Sequence, residues 1–459
     1  MQNIQPWTSH LDLFGSPECD YHAKVTIGST LMNLVLDTGS SNTAVISDLC
    51  QYKQNCSFVQ KPHLHVPVLN AVDSVNASYG NAKLRSAWKG FSTEQLVSLQ
   101  EGESMFARVD VISENQSFFI PRCAHNQGIW GLAHASLQTQ PEYHGDSLTF
   151  KSTLFDTIRK QKGLPNAFTY QICPKSAVDS QFAQEFNFLS QTLGLRNTTQ
   201  LSKPNQCMRQ GHFWLGGYPS QSVGSEIVWV PLMHQRYYQV TIESFLVNNQ
   251  IVEMEQINLP RTIVDTGTKD IVLSRQNLQK LLNALWHSKL VQFDASVSNE
   301  HEKSFWFDHA ELTIPRSSVT ISSDVSLQIA FEGNKKVSIA IENILNIKPF
   351  EEMKGWVKIS WTGLSSSEGK NMASTILGNT LLRGKTVIFD RGQKDAYASR
   401  IGFTGAAGCC RSSSGHDVNI LLSVDNVSKA ATLVRGRLTS TMHAFILLMT
   451  MAFLATFQL

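Results

Sequence analysis

The chain has 459 residues, 42 % of them hydrophobic and 17 % charged, and a net charge of +2. That length exceeds what one hydrophobic core supports and predicts two domains of roughly 200 residues each. The balanced charge excludes nucleic-acid binding by phosphate neutralisation, and short basic pairs such as Lys335-Lys336 read as solvated surface.

The opening MQNIQPWTSHLDLFG lacks the charged start and apolar stretch of a signal peptide, so either the sequence begins at a processed or truncated end, the favoured reading, or the chain is not exported. AKVTIG, residues 23–28, alternates at period two and predicts a strand. Then Leu34-Val35-Leu36 runs straight into Asp37, Thr38, Gly39 and Ser40. A carboxylate beside a buried strand is expensive unless it is paired, hydrogen-bonded or neutralised. The HLH at 63–65 reads as surface, with no partner cluster that would make it a metal site.

In STLFDTIRKQ, Leu154, Phe155 and Ile158 share one helical face. The arrangement at Asp37 returns as Thr262-Ile263-Val264 before Asp265, Thr266, Gly267 and Thr268. Downstream, Leu278, Leu281, Leu282 and Leu285 fall at i, i+3, i+4 and i+7 behind Ser274, which predicts a helix with Ser274 as its N-cap. VIFD and RIGF alternate more loosely. The pattern is mostly β with a few short helices, not an alternating βαβ series.

Residues 411–441, starting RSSSGHD, read as a linker, and residues 442–459 are almost wholly apolar. Small residues around Ser428, Ala430, Ala431 and Thr432, then the polar VRGRLTST, precede that apolar stretch. This order suits a GPI-anchor signal, which is the favoured reading. A membrane-spanning tail of marginal length and a buried helix remain the alternatives.

Eight cysteines, Cys19, Cys50, Cys56, Cys123, Cys173, Cys207, Cys409 and Cys410, contain no CxxC pair, which argues against a zinc site. Their even number and wide spacing suit an oxidising compartment. Asn-x-Ser/Thr acceptors at Asn55, Asn76, Asn115, Asn197 and Asn426 point the same way. The expected location is the secretory pathway, attached to a membrane through the C-terminal region, at the cell surface or in an endosomal or Golgi-type compartment.

Two D-T-G loops, each behind an apolar triplet and each followed by a hydroxyl residue, ask for a joint account. Glycine lets the backbone turn sharply and approach closely. The hydroxyls of Ser40 and Thr268 can donate to the carboxylates. Two acids brought face to face cannot both ionise, so they share a proton and their titrations split. Such a pair can take a proton from water with its charged member and protonate a carbonyl with the other, which is general acid–base hydrolysis without a covalent intermediate.

These residues resemble the pepsin-like aspartic proteases, over roughly residues 15–410. GIWGLA at 128–133 and TILGNTLLRGKTVIFD at 375–390 add to the likeness. In that family an apolar-apolar-Gly strand threads beside each aspartate loop, and Ile129-Trp130-Gly131 and Ile376-Leu377-Gly378 take those places. The resemblance implies a bilobal, mostly β fold: an N-terminal lobe over 1–215, a C-terminal lobe over 216–410, then the linker and the apolar segment. It implies Asp37 and Asp265 as the catalytic pair. Thr38 and Thr266 then bond across the lobe junction, and Tyr79 sits on a flap over the cleft. DTGSSNTAV with Ala44, AWKGFSTEQLVSL, LPNAFTYQIC, YYQVTI and FDRGQKDAYASRIGF are similar to the membrane-anchored β-secretase-type branch. The spacing from Tyr79 to Trp88 is longer than in the family, and Lys269 stands where the family carries Ser or Thr.

The resemblance also suggests a small loop closed by Cys50 and Cys56. It suggests Cys173 with Cys409 or Cys410, Cys207 taking the other, and Cys19 left with Cys123. The sequence alone permits many other connectivities. The expected partner is a peptide or protein substrate, with no cofactor, no metal and a monomeric chain. GNTLLRGKT is no phosphate loop, because five residues separate its glycines. The chain contains neither HExxH nor GxSxG. The rival reading is a catalytically silent, membrane-attached protein that binds peptides in a protease-like cleft.

Overall fold

The computed structural model describes residues 9–50, 56–66, 73–80, 86–100, 103–138, 142–144, 147–149, 151–174, 210–234, 236–367, 374–392, 399–409 and 418–420. Residues 1–419 form one compact unit. Cys207, Cys410, Asn55, Asn197 and Asn426 lie outside the described residues, as do the opening segment, most of the linker and the apolar stretch 442–459. Among the described residues no helix is long and apolar enough to cross a membrane.

Strands dominate. The first half supplies β1 (His10–Ser16), β2 (Asp20–Ile27), β3 (Thr30–Asp37), β4 (Thr43–Ile46), β5 (Asp73–Tyr79), β6 (Ser86–Gln100), β7 (Glu103–Gln116) and β8 (Gly128–Gly131). They join a sheet of 13 strands that continues through Gly211–Leu215 and Ala167–Ile172 into Lys385–Asp390, Arg400–Gly405 and Val228–Pro231. The seam between the halves is antiparallel, with Ala167 opposite Asp390 and Ile172 opposite Lys385. Ring packing fastens the same seam: Phe168 stacks on Phe389 at 4.7 Å. Tyr238, from the second half, donates its hydroxyl to the Leu132 carbonyl of the first at 2.7 Å.

The two halves repeat one strand arrangement. β3 runs parallel to β8, β8 antiparallel to β4, and β4 parallel to β7. In the second half Thr262–Val264 runs parallel to Thr375–Leu377, which is antiparallel to Ile271–Ser274, which in turn is parallel to Leu364–Ser367. Parallel strands covered on both faces read as continuous apolar runs rather than alternating ones. That explains the uninterrupted burial of Thr43–Ile46, Gly128–Gly131 and Thr262–Val264. The threading strands lie beside the aspartate loops: Gly131 pairs with Asp37, and the Leu377 carbonyl accepts from the Asp265 N–H at 3.1 Å.

Both helices expected from periodicity form. Arg275–His287 buries Leu278, Leu281, Leu282 and Leu285, and the Ser274 hydroxyl accepts from the Asn277 N–H at 3.2 Å. Leu154–Lys162 buries Leu154, Phe155 and Ile158, is capped by Thr153, and stops at Gly163 in a left-handed conformation (φ 64°). The cap makes a prediction. Ser274→Ala removes a partner from an otherwise orphaned helix N–H and should cost about 1 kcal/mol. Urea unfolding of the two proteins checks it, and equal midpoints would show that the cap adds nothing.

A third helix, Asn299–Phe307, was not expected. Its first two turns are polar, and only Phe305 and Trp306 at its end are buried, so no apolar period marks it. Those two rings pack on Trp361, at 5.3 and 4.9 Å between centroids. Tertiary packing on two aromatic side chains holds this helix where local periodicity does not.

Three disulfides join Cys19 to Cys123, Cys50 to Cys56, and Cys173 to Cys409. The last spans 236 residues and ties the strand Ala167–Ile172 to the end of the body. Of the glycan acceptors within the described residues, Asn76 is exposed on β5. Asn115 is buried, and its Oδ1 accepts from the N–H groups of Phe118 and Phe119 at 2.8 and 3.0 Å. Asn76 alone of these two presents its amide to solvent.

Candidate active site

Asp37 ends β3, and Asp265 follows Thr262–Val264 directly. Leu34 and Leu36 drive the first strand into the core at 0 % exposure. Asp37 retains 5 % and Asp265 7 %. The two carboxyl groups are in hydrogen-bonding contact with each other across the junction of the halves.

The two loops hold their acids in the same way. The Gly39 N–H donates to Asp37 Oδ1 at 2.7 Å, and the Ser40 hydroxyl donates to Asp37 Oδ2 at 2.5 Å. The Gly267 N–H donates to Asp265 Oδ1 at 2.9 Å, and the Thr268 hydroxyl donates to Asp265 Oδ2 at 2.7 Å. Each carboxylate therefore receives one backbone and one hydroxyl donor, which fixes its plane.

Beneath the acids the two threonines interlock. The Thr38 N–H donates to Thr266 Oγ1 and the Thr266 N–H donates to Thr38 Oγ1, both at 3.0 Å. Each hydroxyl then donates into the opposite strand, Thr38 to the Val264 carbonyl at 3.0 Å and Thr266 to the Leu36 carbonyl at 2.6 Å. Both side chains are buried, so all of these bonds form away from competing water. The glycines complete the fit. A Cβ on Gly39 would stand 2.6 Å from Asp265 Oδ2, and one on Gly267 would land on Asp37 Oδ1. Each loop needs glycine so that the opposite carboxyl can come close.

Burial pushes the Asp37 carboxyl well above the usual range, and the charge of Asp265 and the hydrogen bond to it push the same way. Donation from Ser40 and Gly39 offsets part of this. Asp37 therefore keeps its proton to a higher pH than an isolated aspartate does.

Tyr79 ends β5, whose hairpin partner is β6, with Tyr79 opposite Ser86. Its hydroxyl accepts from Trp88 Nε1 at 3.2 Å. Burial, then the Asp37 charge, push the Tyr79 hydroxyl upward, so it stays protonated and able to donate. Residues 81–85, between the two strands, lie outside the described residues.

A third acid, absent from the sequence reading, sits behind Asp265. Asn379 Nδ2 donates to the Thr266 carbonyl at 2.9 Å and reaches Asp20 Oδ1 at 3.3 Å. Burial, then the charge of Asp265, push the Asp20 carboxyl up to about 7, against the Asn379 bond and the Lys269 ammonium, which pull it down. Lys269 thus acts on Asp20. An acid whose pKa is raised in the fold stabilises it while protonated. That stability is complete below the ordinary 3.8 and is lost as the pH climbs to about 7. Asp20→Asn cannot ionise and tolerates the positive φ of 59° at this position. Its melting temperature should fall less than the wild type's between pH 4 and 7, and parallel pH curves would contradict this coupling.

Two duplicated sheets that meet on a pair of buried aspartates define the architecture of a two-lobed, pepsin-like acid protease. The comparison with known families agrees: the model of the eukaryotic aspartyl protease family matches residues 20–181 and 197–403, and the chain belongs to that family. It is an aspartic endopeptidase, a hydrolase of peptide bonds. The chain is similar to a β-secretase of Strongylocentrotus purpuratus, 22 % identical over 421 residues, covering 85 % of this chain and 67 % of that protein. Pepsin B of Canis lupus familiaris is 25 % identical over 285 residues, 61 % of this chain and 60 % of that protein. Pepsin A of Gallus gallus is 23 % identical over 337 residues, 72 % of this chain and 77 % of that protein.

Proposed function

We propose that Asp37 and Asp265 are the catalytic dyad and that they hydrolyse peptides by activating water. The observation that carries this reading is the contact between the two buried carboxyl groups, made possible by Gly39 and Gly267. One proton is held by the pair. The ionised member takes a proton from water as the water attacks the scissile carbonyl. The protonated member donates to the carbonyl oxygen, giving a neutral tetrahedral diol. The member that took the water's proton then gives it to the leaving nitrogen as the C–N bond breaks, while the other member takes a proton from one diol hydroxyl, so a carboxylic acid and an amine leave and the pair again holds one proton. Thr38 and Thr266 keep the acids coplanar through the bonds beneath them, Ser40 and Thr268 orient them, and Tyr79 closes over the bound peptide from the flap.

Purified protein challenged with peptide libraries from pH 3 to 6 tests this, with products read by mass spectrometry. Cleavage between apolar residues, strongest at mildly acidic pH, is the expected result. Equal turnover by wild type, Asp37→Asn and Asp265→Asn would overturn it.

The three disulfides and the likeness to a β-secretase are consistent with the secretory pathway. The apolar segment 442–459 supports attachment to a membrane there. Partition into the detergent phase, abolished by phospholipase C, indicates a GPI anchor, and partition that resists the enzyme indicates a spanning tail. Recovery of the full chain in the aqueous phase removes the attachment.

A further inference from the structure

β1 carries His10 and Asp12 on one face, since alternate residues of a strand point the same way. Its neighbour in the sheet, Gly211–Leu215, places His212 directly opposite Asp12. Three ligand-type atoms converge there. His10 Nε2 lies 3.0 Å from His212 Nδ1 and 3.6 Å from Asp12 Oδ1, and His212 Nδ1 lies 3.4 Å from Asp12 Oδ1. A zinc ion bonds nitrogen and oxygen at about 2.0–2.2 Å in tetrahedral geometry, so adjacent ligand atoms stand about 3.3–3.5 Å apart. The triangle therefore already has nearly the dimensions of one tetrahedral face.

The tautomer supports the same reading. His212 Nε2 lies 3.1 Å from the Cys409 carbonyl. A carbonyl only accepts, so the proton sits on Nε2 and the Nδ1 lone pair of the neutral ring turns toward His10 and Asp12. A ligating histidine usually has its second nitrogen held in this way. Trp214 packs against both rings, at 5.5 Å from His10 and 5.3 Å from His212, and limits their rotation. The cluster is closed on one side and open on the other: the His212 side chain is 3 % exposed, His10 17 % and Asp12 24 %. A water molecule would complete a four-coordinate set. Two imidazoles and one carboxylate suit zinc and its first-row neighbours and disfavour calcium and magnesium.

We propose that His10, Asp12 and His212 form a binding site for one divalent zinc-class ion, separate from the aspartate pair, that clips β1 to the strand Gly211–Leu215. Its role is structural. The ion spans 202 positions of sequence beside the Cys173–Cys409 disulfide and braces the sheet that joins the halves.

The test uses the whole protein, stripped with chelator, at pH 7.5. Calorimetric titration with Zn(II) should give one saturable site, and Co(II) should give the visible spectrum of a four-coordinate ion. Zinc should raise the melting temperature of the wild type. His212→Ala and Asp12→Asn should each weaken binding at least tenfold and remove that rise. His10→Gln, at the more exposed ring, is the variant read if His212→Ala fails to fold. Saturable zinc binding that survives all three replacements belongs to other side chains and overturns the proposal, as does the absence of one-to-one binding up to millimolar zinc.

Discussion

Replacing one carboxyl of the pair, in Asp37→Asn or in Asp265→Asn, should lower kcat by about ten-thousandfold while KM changes little. General acid–base catalysis by positioned side chains contributes roughly 10²–10⁴ in rate, and either substitution removes both roles, because the shared proton no longer exists. The fold should persist. In Asp37→Asn the carbonyl oxygen still accepts from the Gly39 N–H, and the Ser40 hydroxyl rotates to accept from the new amide. The stability change distinguishes this account from general damage. Burial and the neighbouring charge raise the Asp37 carboxyl, so its stabilising contribution is complete below the ordinary carboxylate range and is lost as pH rises through the raised value. At pH 7 Asp37→Asn should melt no lower than the wild type, and higher if the dyad is strained by a second charge. Turnover of a quenched peptide and melting curves at pH 7 check both statements. Retained activity would remove Asp37 from catalysis, and a collapsed melting temperature would make its role structural.

The glycines give the second large effect. Gly39→Ala places a methyl carbon 2.6 Å from Asp265 Oδ2, and Gly267→Ala places one on Asp37 Oδ1. Neither position has the left-handed backbone that would add strain of its own, so the effect isolates the approach of the two acids. The methyl group must push the opposite carboxyl aside. A displacement near 1 Å at a reacting group costs about a hundredfold in rate. Each variant should therefore lose about a hundredfold or more in kcat, with both acids still present and the far-ultraviolet circular dichroism unchanged. Gly163→Ala, at an open left-handed helix terminus, should lower stability and leave kcat alone. Wild-type turnover in Gly39→Ala and Gly267→Ala would show that the loops do not set the approach of the acids.

Much of this arrangement was legible in the chain because it is local. An apolar triplet, an acid, a glycine and a hydroxyl residue sit side by side at Asp37 and again at Asp265, and each loop holds its own carboxylate. The leucines behind Ser274 carry the helical period on their own. The interlock of Thr38 with Thr266 was reached through family likeness alone, since the bonds cross 228 positions of sequence. Asp20 and Asn379 escaped notice for the same reason: they stand 359 positions apart, and an isolated Asp in CDY or Asn in LGNT carries no chemical signature. The cluster of His10, Asp12 and His212 depends on strand register, which no local pattern encodes. The helix Asn299–Phe307 is stabilised by where Phe305 and Trp306 land, not by its own polar turns.

The claim beneath all of this is one proton held between two acids. The pH dependence of kcat/KM for a good peptide substrate, followed from pH 2 to 8, tests it most directly. A bell with two separated limbs is the predicted profile: the acid limb marks protonation of the ionised member, and the alkaline limb marks loss of the shared proton. A single rising limb that stays flat to pH 8 would mean that only one ionisation matters, and the paired-acid mechanism would be contradicted.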